Sequence, residues 1–264
     1  MGGKSTDQDL LARISSVTAS AWGVFATRAG GRVVTDAGLT CIVGSHPTPV
    51  IINTVFRTDP GIAPAEVFAR SREFYAALGH RFTLVTSDHS DADLDEAADG
   101  GGWTMAIKLP AMVCRAPRSG NPLPAHVSLR HADPFADIDS FRSVVRDGFA
   151  SDEDEIAAVE TVYATPAALD ATNTVGVLAS VDGRDVAVAR VDVIEGMGYV
   201  GWVGTVPSFR RRGLGELVTR AATNAAFELG ADIVALEASP MGLGLYEKLG
   251  YETVAIDRIW LPPA

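Results

Sequence analysis

Hydrophobic positions follow a helical period in some segments and short unbroken runs in others, and this contrast predicts a mixed α+β chain. The clearest helix covers 213–229, where apolar residues three and four positions apart form one face and Gly230 follows the end. The other elements predicted in the second half are strands at 126–130, 175–181, 186–194, 199–206, 232–238 and 251–260, and helices at 135–149, 156–163 and 242–249.

The first half alternates strands and helices in the same way. Its predicted elements are strands at 32–43, 50–57, 81–86 and 103–114, and helices at 64–78 and 91–98. The uncharged stretch 37–56 is long enough to cross a bilayer, but Pro47 and Pro49 interrupt it, so we interpret it as two strands joined by a turn. Pro, Gly, Ser and Asn are concentrated at 118–125, which predicts a linker between a domain at 1–117 and a domain at 126–264.

Charge is distributed unevenly along the 264 residues. Residues 1–125 hold 11 basic and 12 acidic side chains, a net charge of −1, whereas residues 126–264 hold 11 and 21, a net charge of −10. The total of −11 argues against a nucleic-acid partner, because proteins that bind nucleic acid usually carry the opposite sign. The first residues make a poor signal peptide, so we expect a cytoplasmic protein with no membrane partner. Cys41 and Cys114 are too far apart for a CxxC motif and are predicted to be buried thiols.

The segment 203–216 is the most informative about chemistry. A predicted strand ends at Pro207, three arginines follow at 210–212, and Gly213 and Gly215 begin the long helix. The N–H groups of a first helical turn are unpaired and carry partial positive charge, glycines allow a phosphate to approach the backbone, and arginines add formal charge. This order of residues predicts a binding site for a ligand that bears phosphate.

Spacing excludes two other kinds of site. A dinucleotide-binding fingerprint needs a third glycine and a tighter turn after the strand, whereas Gly213 lies six positions beyond Pro207. The acidic segment 88–96 lacks the glycine and glutamate positions of a calcium loop and is typical of an acidic helix with an N-terminal cap. His126 and His131 lack the spacing of a helical zinc pair, so no metal is expected.

The hexapeptide 210–215, Arg-Arg-Arg-Gly-Leu-Gly, resembles the (Gln/Arg)-x-x-Gly-x-(Gly/Ala) motif of the GNAT superfamily of acyl-CoA N-acyltransferases. The resemblance covers about 126–264, in the order of elements and in two motifs. It implies a three-layer α/β/α fold with a mixed, mostly antiparallel sheet, and a coenzyme A held by its diphosphate. The cofactor-binding residues that it implies are Val203, Gly204, Thr205, Arg211, Arg212, Gly213, Leu214, Gly215, Glu216 and Ser239.

The second motif is Leu-Tyr-Glu-Lys-Leu-Gly-Tyr at 245–251, which resembles the strand–helix ending of the same family. It implies that Tyr246 is the general acid that protonates the departing CoA thiolate. Many members carry Asn seven residues before this tyrosine, where this chain has Ser239. The general base stays unassigned, because the predicted strand 199–206 contains no carboxylate; Glu195 and Glu237 are alternatives that would act through water.

The resemblance implies an N-acetyltransferase that uses acetyl-CoA as cosubstrate, without a metal, and a primary amine on a small molecule or peptide as acceptor. Acidic residues near the first two helices of the second half favour a cationic acceptor. These residues are Asp147, Asp152, Glu153, Asp154 and Glu155. The first half resembles a degenerate second unit of the same kind and has no basic loop, so it is not expected to bind coenzyme. A non-catalytic acyl-CoA sensor, a transferase for longer acyl groups and a homodimer remain open alternatives.

Overall fold

A computed structural model of the chain describes residues 3–47, 52–120, 122–149 and 153–263. The predicted turn at 47–49, the first residues of the predicted strand 50–57, Asn121 of the predicted linker and Asp152 lie wholly or partly outside these ranges. The chain forms two compact units. Unit 1 consists of Met1–Ala111, Glu237–Pro240 and Thr253–Ala264, and unit 2 of Met112–Leu236 and Met241–Glu252.

Within the described ranges, seven α-helices and eleven strands are named in chain order. The helices are α1 (Gly3–Arg28), α2 (Pro64–Leu78), α3 (Ala92–Gly100), α4 (Ile138–Phe149), α5 (Glu153–Val162), α6 (Leu214–Glu228) and α7 (Leu243–Lys248). The strands are β1 (Arg32–Asp36), β2 (Leu39–Val43), β3 (Asn53–Arg57), β4 (Thr83–Ser87), β5 (Thr104–Cys114), β6 (Val127–His131), β7 (Thr174–Val181), β8 (Arg184–Ile194), β9 (Met197–Thr205), β10 (Ile233–Glu237) and β11 (Glu252–Leu261).

In unit 1 the strands lie in the order β1-β2-β3-β4-β11. Neighbours are antiparallel except β3 and β4, which are parallel and are connected through α2. The core contains Val67 and Tyr75 of α2 together with Leu84 and Trp103. The last strand of the chain, β11, pairs with β4. Because of this long-range pairing, the C-terminal residues belong to unit 1, and the bounds of the two units differ from the predicted division at 118–125.

In unit 2 the strands lie in the order β10-β9-β8-β7-β6. The pairs from β6 to β9 are antiparallel, whereas β9 and β10 are parallel and are connected through α6. Both α4 and α6 pack on β8 and β9. The predicted class, a mostly antiparallel mixed sheet flanked by helices, is therefore confirmed. Each unit contains an antiparallel meander followed by a helical crossover to a parallel strand.

Two local features of unit 1 differ from the sequence predictions. The helix α1 was not predicted, because Ser and Thr interrupt its apolar positions, yet Val17 and Trp22 are buried. The predicted strand 32–43 is a hairpin of β1 and β2, in which Ala37 and Gly38 both have positive φ, as a two-residue hairpin turn requires. Among the described residues, no helix combines the length and apolar character needed to cross a bilayer.

The acidic segment 88–96 forms α3, but the predicted capping contact is wrong. Asp91 occupies the N-cap position and makes no side-chain cap hydrogen bond. Its carboxylate instead accepts hydrogen bonds from Arg57 Nε at 2.9 Å and from the Ser87 backbone N–H at 3.1 Å. Arg57 also pairs with Asp93, so a buried guanidinium explains why acidic residues are concentrated here. Cys41 and Cys114 are free and buried, as predicted.

Asp257 of β11 should make the stability of unit 1 depend on pH. Burial, with a smaller contribution from Glu237, raises the pKa of this carboxyl to about 7, although Ser87 opposes the shift. Because the unfolded carboxyl has a pKa of about 3.9, the folded state holds a proton that the unfolded state releases, and stability is lost as pH rises from about 4 to about 7. We expect Asp257→Asn to raise the thermal unfolding midpoint at pH 8 and to flatten its decline above pH 5.

The measurement is a series of thermal unfolding curves between pH 5 and pH 8. The exposed carboxylate of Asp36 offers a control, since Asp36→Asn removes a negative charge from the same unit without removing a buried group. The effect at pH 8 has an upper limit of about 4 kcal/mol, set by about three pKa units. Equal pH slopes for the wild type and Asp257→Asn would contradict the assignment.

Candidate active site

The end of β9 brings together three of the predicted residues. Its ladder with β10 runs from Met197–Ile233 to Tyr199–Ala235 and ends there, while β9 continues to Thr205. The edge of β9 that faced β10 is thus released toward its C-terminal end, where backbone N–H and C=O groups are available to a ligand. The predicted residues on this part of β9 are Val203 and Thr205, which are half-buried, and Gly204, which is buried.

A β-bulge lies immediately before this end of β9. Arg190 of β8 is opposite Gly201, and Val188 is opposite Gly204, so β9 carries one residue more than β8 over this interval. Within the bulge, Trp202 is buried and has φ 54°, in the left-handed region that residues other than glycine rarely adopt. A bulge changes the direction of the groups within it and directly after it, and here these are the backbone groups of Val203 and Gly204.

The first arginine of the basic loop stabilises the fold. Arg210 donates from Nε to the carbonyl oxygen of Thr205 at 3.1 Å and from Nη2 to that of Gly148 at 3.0 Å. It therefore ties the end of β9 to the end of α4. The sequence suggested the Arg210 guanidinium as one of three charges for a phosphate. In the structure this guanidinium donates hydrogen bonds to backbone carbonyl groups instead.

The next residues turn the backbone toward the start of α6. Arg211 has φ 59° and Gly213 has φ 78°, so two left-handed residues lie within three positions. The first hydrogen bond of α6 is donated by Leu217 to the Gly213 carbonyl. The N–H groups of Leu214, Gly215 and Glu216 therefore project from the helix end, together with the positive end of the helix dipole.

Charge is supplied at this position by the other two arginines, Arg211 and Arg212, which are both exposed. Arg212 donates to the Ser208 carbonyl at 3.2 Å, and its guanidinium lies 5.1 Å from the ring centroid of Phe209. Leu214 is buried and anchors the helix, whereas Glu216 forms an ion pair with Arg220 at 3.2 Å. The backbone N–H groups of the loop and two arginine side chains thus form a cationic surface.

Gly215 lies where the end of β9 and α7 come close to α6. A Cβ atom at this position would be 3.0 Å from Leu245 Cδ1 and 3.6 Å from Thr205 Oγ1. Because Gly215 has no side chain, α6 can lie close to both α7 and the end of β9.

Tyr246 of α7 is almost fully buried, with 8 % of its surface exposed. Burial raises the pKa of its hydroxyl to about 12, so the group is protonated throughout the neutral range. The ring packs at 61° against Tyr251 and also against Gly242, where an added Cβ would be 2.7 Å from the ring. Gly242 is therefore needed for this ring position, which the sequence alone did not indicate.

Ser239 belongs to the segment Glu237–Pro240 of unit 1 and is exposed. Glu237, in the same segment, accepts a hydrogen bond from Thr18 Oγ1 at 2.7 Å. Glu195 lies in the turn between β8 and β9 with φ 51°. At about 3.3 Å per residue, the length of β9 separates that turn from Thr205 by about 26 Å, which excludes Glu195 as the base.

The acidic residues of α4 and α5 are partly neutralised. Arg146 pairs with Asp147 at 3.0 Å, and Arg142 pairs with Glu160 at 3.0 Å. Glu153 is exposed, whereas Asp152 and the side chain of Asp154 lie outside the described residues. Within the described part of the chain, no group of three or more His, Cys, Asp or Glu side chains could hold a metal ion.

Two residues at the end of α4 belong to the site although the sequence did not single them out. A Cβ at Gly148 would be 3.0 Å from the backbone nitrogen of Thr205, so a side chain here would push α4 and β9 apart by a few tenths of an ångström. Phe149 is 45 % exposed, and its ring lies over Gly204, within 3.3 Å of an added Cβ. Neither residue has a local sequence signal, since each is defined by a contact with a distant strand.

Comparison with known proteins agrees with this geometry. Residues 173–253 match the family model of the acetyltransferase (GNAT) domain. No protein with a curated function matches the sequence.

Solved structures with the same fold include a GCN5-related N-acetyltransferase from Kribbella flavida, with 26 % identity, a TM-score of 0.76, and 96 % of this chain and 95 % of that chain covered. Another from Sphaerobacter thermophilus has 14 % identity and a TM-score of 0.61, with 87 % and 79 % covered. A tandem GNAT protein from the clavulanic acid biosynthesis pathway has 14 % identity and a TM-score of 0.58, with 88 % and 82 % covered. Residues 173–253 therefore form an acetyltransferase domain of the GNAT family, within a chain that has the fold of GCN5-related N-acetyltransferases.

Proposed function

We propose that this chain transfers the acetyl group of acetyl-CoA to a primary amine. The observation that carries the proposal is the loop between β9 and α6, where left-handed Arg211 and Gly213 precede a helix end with three projecting N–H groups. Such a helix end, with two exposed arginines beside it, suits the diphosphate of coenzyme A.

The released edge of β9 would hold the arm of the cosubstrate. Strand N–H and C=O groups near Val203 and Thr205 can pair with the amides of the pantetheine arm, much as a neighbouring strand would. The same N–H groups can polarise the thioester carbonyl as negative charge develops on its oxygen. Leu214, Gly215 and Glu216 contribute their backbone to the diphosphate site, whereas the role of Ser239 stays a prediction from the sequence.

Tyr246 would assist the departure of the CoA thiolate. Its buried hydroxyl is protonated at neutral pH and can donate a hydrogen bond when the carbon–sulfur bond breaks. A thiolate released into equally buried surroundings also gains proton affinity, which favours transfer of the phenolic proton. The amine nitrogen attacks the thioester carbon, the acetyl group passes to nitrogen, and the amine loses a proton to a base that we leave unassigned.

We further propose that the acceptor is cationic. The segment 138–162 holds two arginines and seven acidic residues, a net charge of −5. This net charge already includes Arg142 and Arg146, which form ion pairs with Glu160 and Asp147. Negative potential near the open edge of β9 would concentrate protonated amines.

Three measurements test the function. Calorimetry with CoA tests the cosubstrate, and thiol release from acetyl-CoA across a panel of small amines and peptide N-termini tests the transfer. Competition by longer acyl-CoA thioesters tests the acyl group. Binding of CoA without release of thiol for any amine would favour a non-catalytic acyl-CoA sensor, and lack of CoA binding would refute the proposal.

The role of Arg211 can be tested by a substitution that preserves the backbone. Asn tolerates the left-handed region better than most residues, so Arg211→Asn removes the charge with little change of the loop. We expect CoA affinity to fall about fivefold, with a weaker dependence on salt, because one charge-assisted contact to phosphate is lost. Arg130→Asn, on β6, is the control, and equal losses in the two variants would contradict a phosphate contact by Arg211.

A further inference from the structure

A fully buried ion pair lies on β8 beneath the bulge of unit 2. Arg190 and Asp192 are both inaccessible to solvent, and Arg190 Nε lies 2.9 Å from Asp192 Oδ2. Nη2 of the same guanidinium donates to Asp192 Oδ1 at 2.9 Å, and Thr174 Oγ1 donates to that oxygen at 2.5 Å. Burial lowers the pKa of Arg190, but Asp192 and the hydroxyl of Tyr163 outweigh it and raise the pKa, so the guanidinium is charged.

Aromatic contacts connect this pair to the bulge. Tyr163, which interacts with Arg190, is itself fully buried, and its ring centroid lies 5.4 Å from that of Trp202 at an interplanar angle of 87°. On its other side Trp202 meets Phe149 at 5.9 Å. The left-handed residue of the bulge is therefore packed between two rings, and the hydroxyl of one of them interacts with the buried guanidinium.

Stability alone does not explain this arrangement. A non-glycine residue in the left-handed region costs about 1–2 kcal/mol, and a buried ion pair is often no more stabilising than apolar side chains of the same volume. Such pairs are best explained where they specify one conformation among several. The structural feature next to Arg190 is the bulge. Arg190 is paired in register with Gly201, which is the last residue before the bulge.

We infer that Arg190 is a positioning residue: together with Asp192 it fixes Tyr163 and Trp202, and thereby keeps the bulge in the form that directs the N–H groups of Val203 and Thr205 toward the thioester carbonyl. The direction toward the carbonyl rests on the proposed function, whereas the effect on the bulge does not. Arg190 itself touches no substrate, since it is fully enclosed.

The test replaces the pair by neutral side chains of similar size, Arg190→Met with Asp192→Asn. The matched control is Arg130→Met with Asp185→Asn, which removes another ion pair anchored on β8, at 2.7 Å, without touching the bulge. Tyr163→Phe keeps the ring and removes the contact of the hydroxyl to Arg190. If the Arg190/Asp192 double variant does not fold, this single variant tests the positioning role.

Amide hydrogen exchange reports on the bulge without any ligand. We expect exchange at 202–205 to become about tenfold faster in the Arg190/Asp192 variant and about threefold faster in Tyr163→Phe, with no change in the control. Equal exchange in all three variants and the wild type would overturn the inference, whatever the protein binds.

Acetyl-CoA labelled with ¹³C at the carbonyl gives the second readout. Binding should displace the carbonyl resonance in the wild type, and the Arg190/Asp192 variant should lose about half of this displacement or more while its affinity changes by less than about threefold. A full displacement in that variant would refute the positioning role. Failure of the wild type to bind acetyl-CoA would count against the proposed function, and the exchange measurement would still decide the inference.

Discussion

Phenylalanine in place of Tyr246 should lower kcat by about 100-fold and leave the KM for acetyl-CoA nearly unchanged, because general acid catalysis typically contributes this much or more. The substitution removes one oxygen from a ring that is packed against Tyr251 and Gly242. The hydroxyl is buried and protonated, so its loss deprives the departing thiolate of its donor at the moment when charge develops. The ring stays, and with it the shape of the site.

Tyr251→Phe is the matched control. Its hydroxyl is also buried and lies 2.6 Å from Thr223 Oγ1, so its removal costs a buried hydrogen bond in the same unit. We expect the control to unfold at a lower temperature and to retain its kcat, whereas Tyr246→Phe should show the reverse. Steady-state rates with varied acetyl-CoA, together with thermal unfolding of both variants, separate the two roles. A kcat for Tyr246→Phe within about threefold of the wild type would remove the acid assignment.

Valine in place of Gly213 should weaken the binding of CoA by about 30-fold, because a left-handed backbone costs an L side chain up to about 2 kcal/mol and β-branched residues avoid it most. Gly213 has φ 78°, and a Cβ at this position would meet nothing within 4 Å. The effect would therefore come from the backbone, since the loop must abandon the conformation in which the first turn of α6 faces the ligand.

Asparagine and a second glycine make this prediction specific. Gly213→Asn introduces a side chain of similar size that tolerates the left-handed region, so its loss of affinity should be much smaller. Gly230, just beyond the other end of α6, has φ 92° and equally open surroundings, so Gly230→Val imposes the same strain away from the loop. In calorimetry, Gly230→Val should bind CoA with the same affinity as the wild type. Similar losses for Val and Asn at 213 would show that bulk, and not backbone conformation, matters there.

The basic loop and its helix could be predicted because their signals are local. The helix predicted at 213–229 is observed as Leu214–Glu228, and the Gly-rich turn before it is the kind of feature that neighbouring residues determine. The separate roles of the three arginines could not be predicted from neighbouring residues. Arg210 donates to the carbonyl oxygen of Gly148, which is 62 positions away in the sequence, and this contact helps to distinguish it from Arg211 and Arg212.

The sequence by itself determined the class of fold, the acetyltransferase motif and the place where a helix end meets a cationic loop, because propensity, turn chemistry and hydrophobic period act over a few residues. Only the tertiary structure decided that β11 pairs with β4, that β9 is bulged at Trp202, and that Arg190 is buried beneath it. These features depend on strand register and on contacts between residues far apart in the chain. A sequence pattern leaves such contacts undetermined, since many pairings satisfy the same alternation of apolar and polar positions.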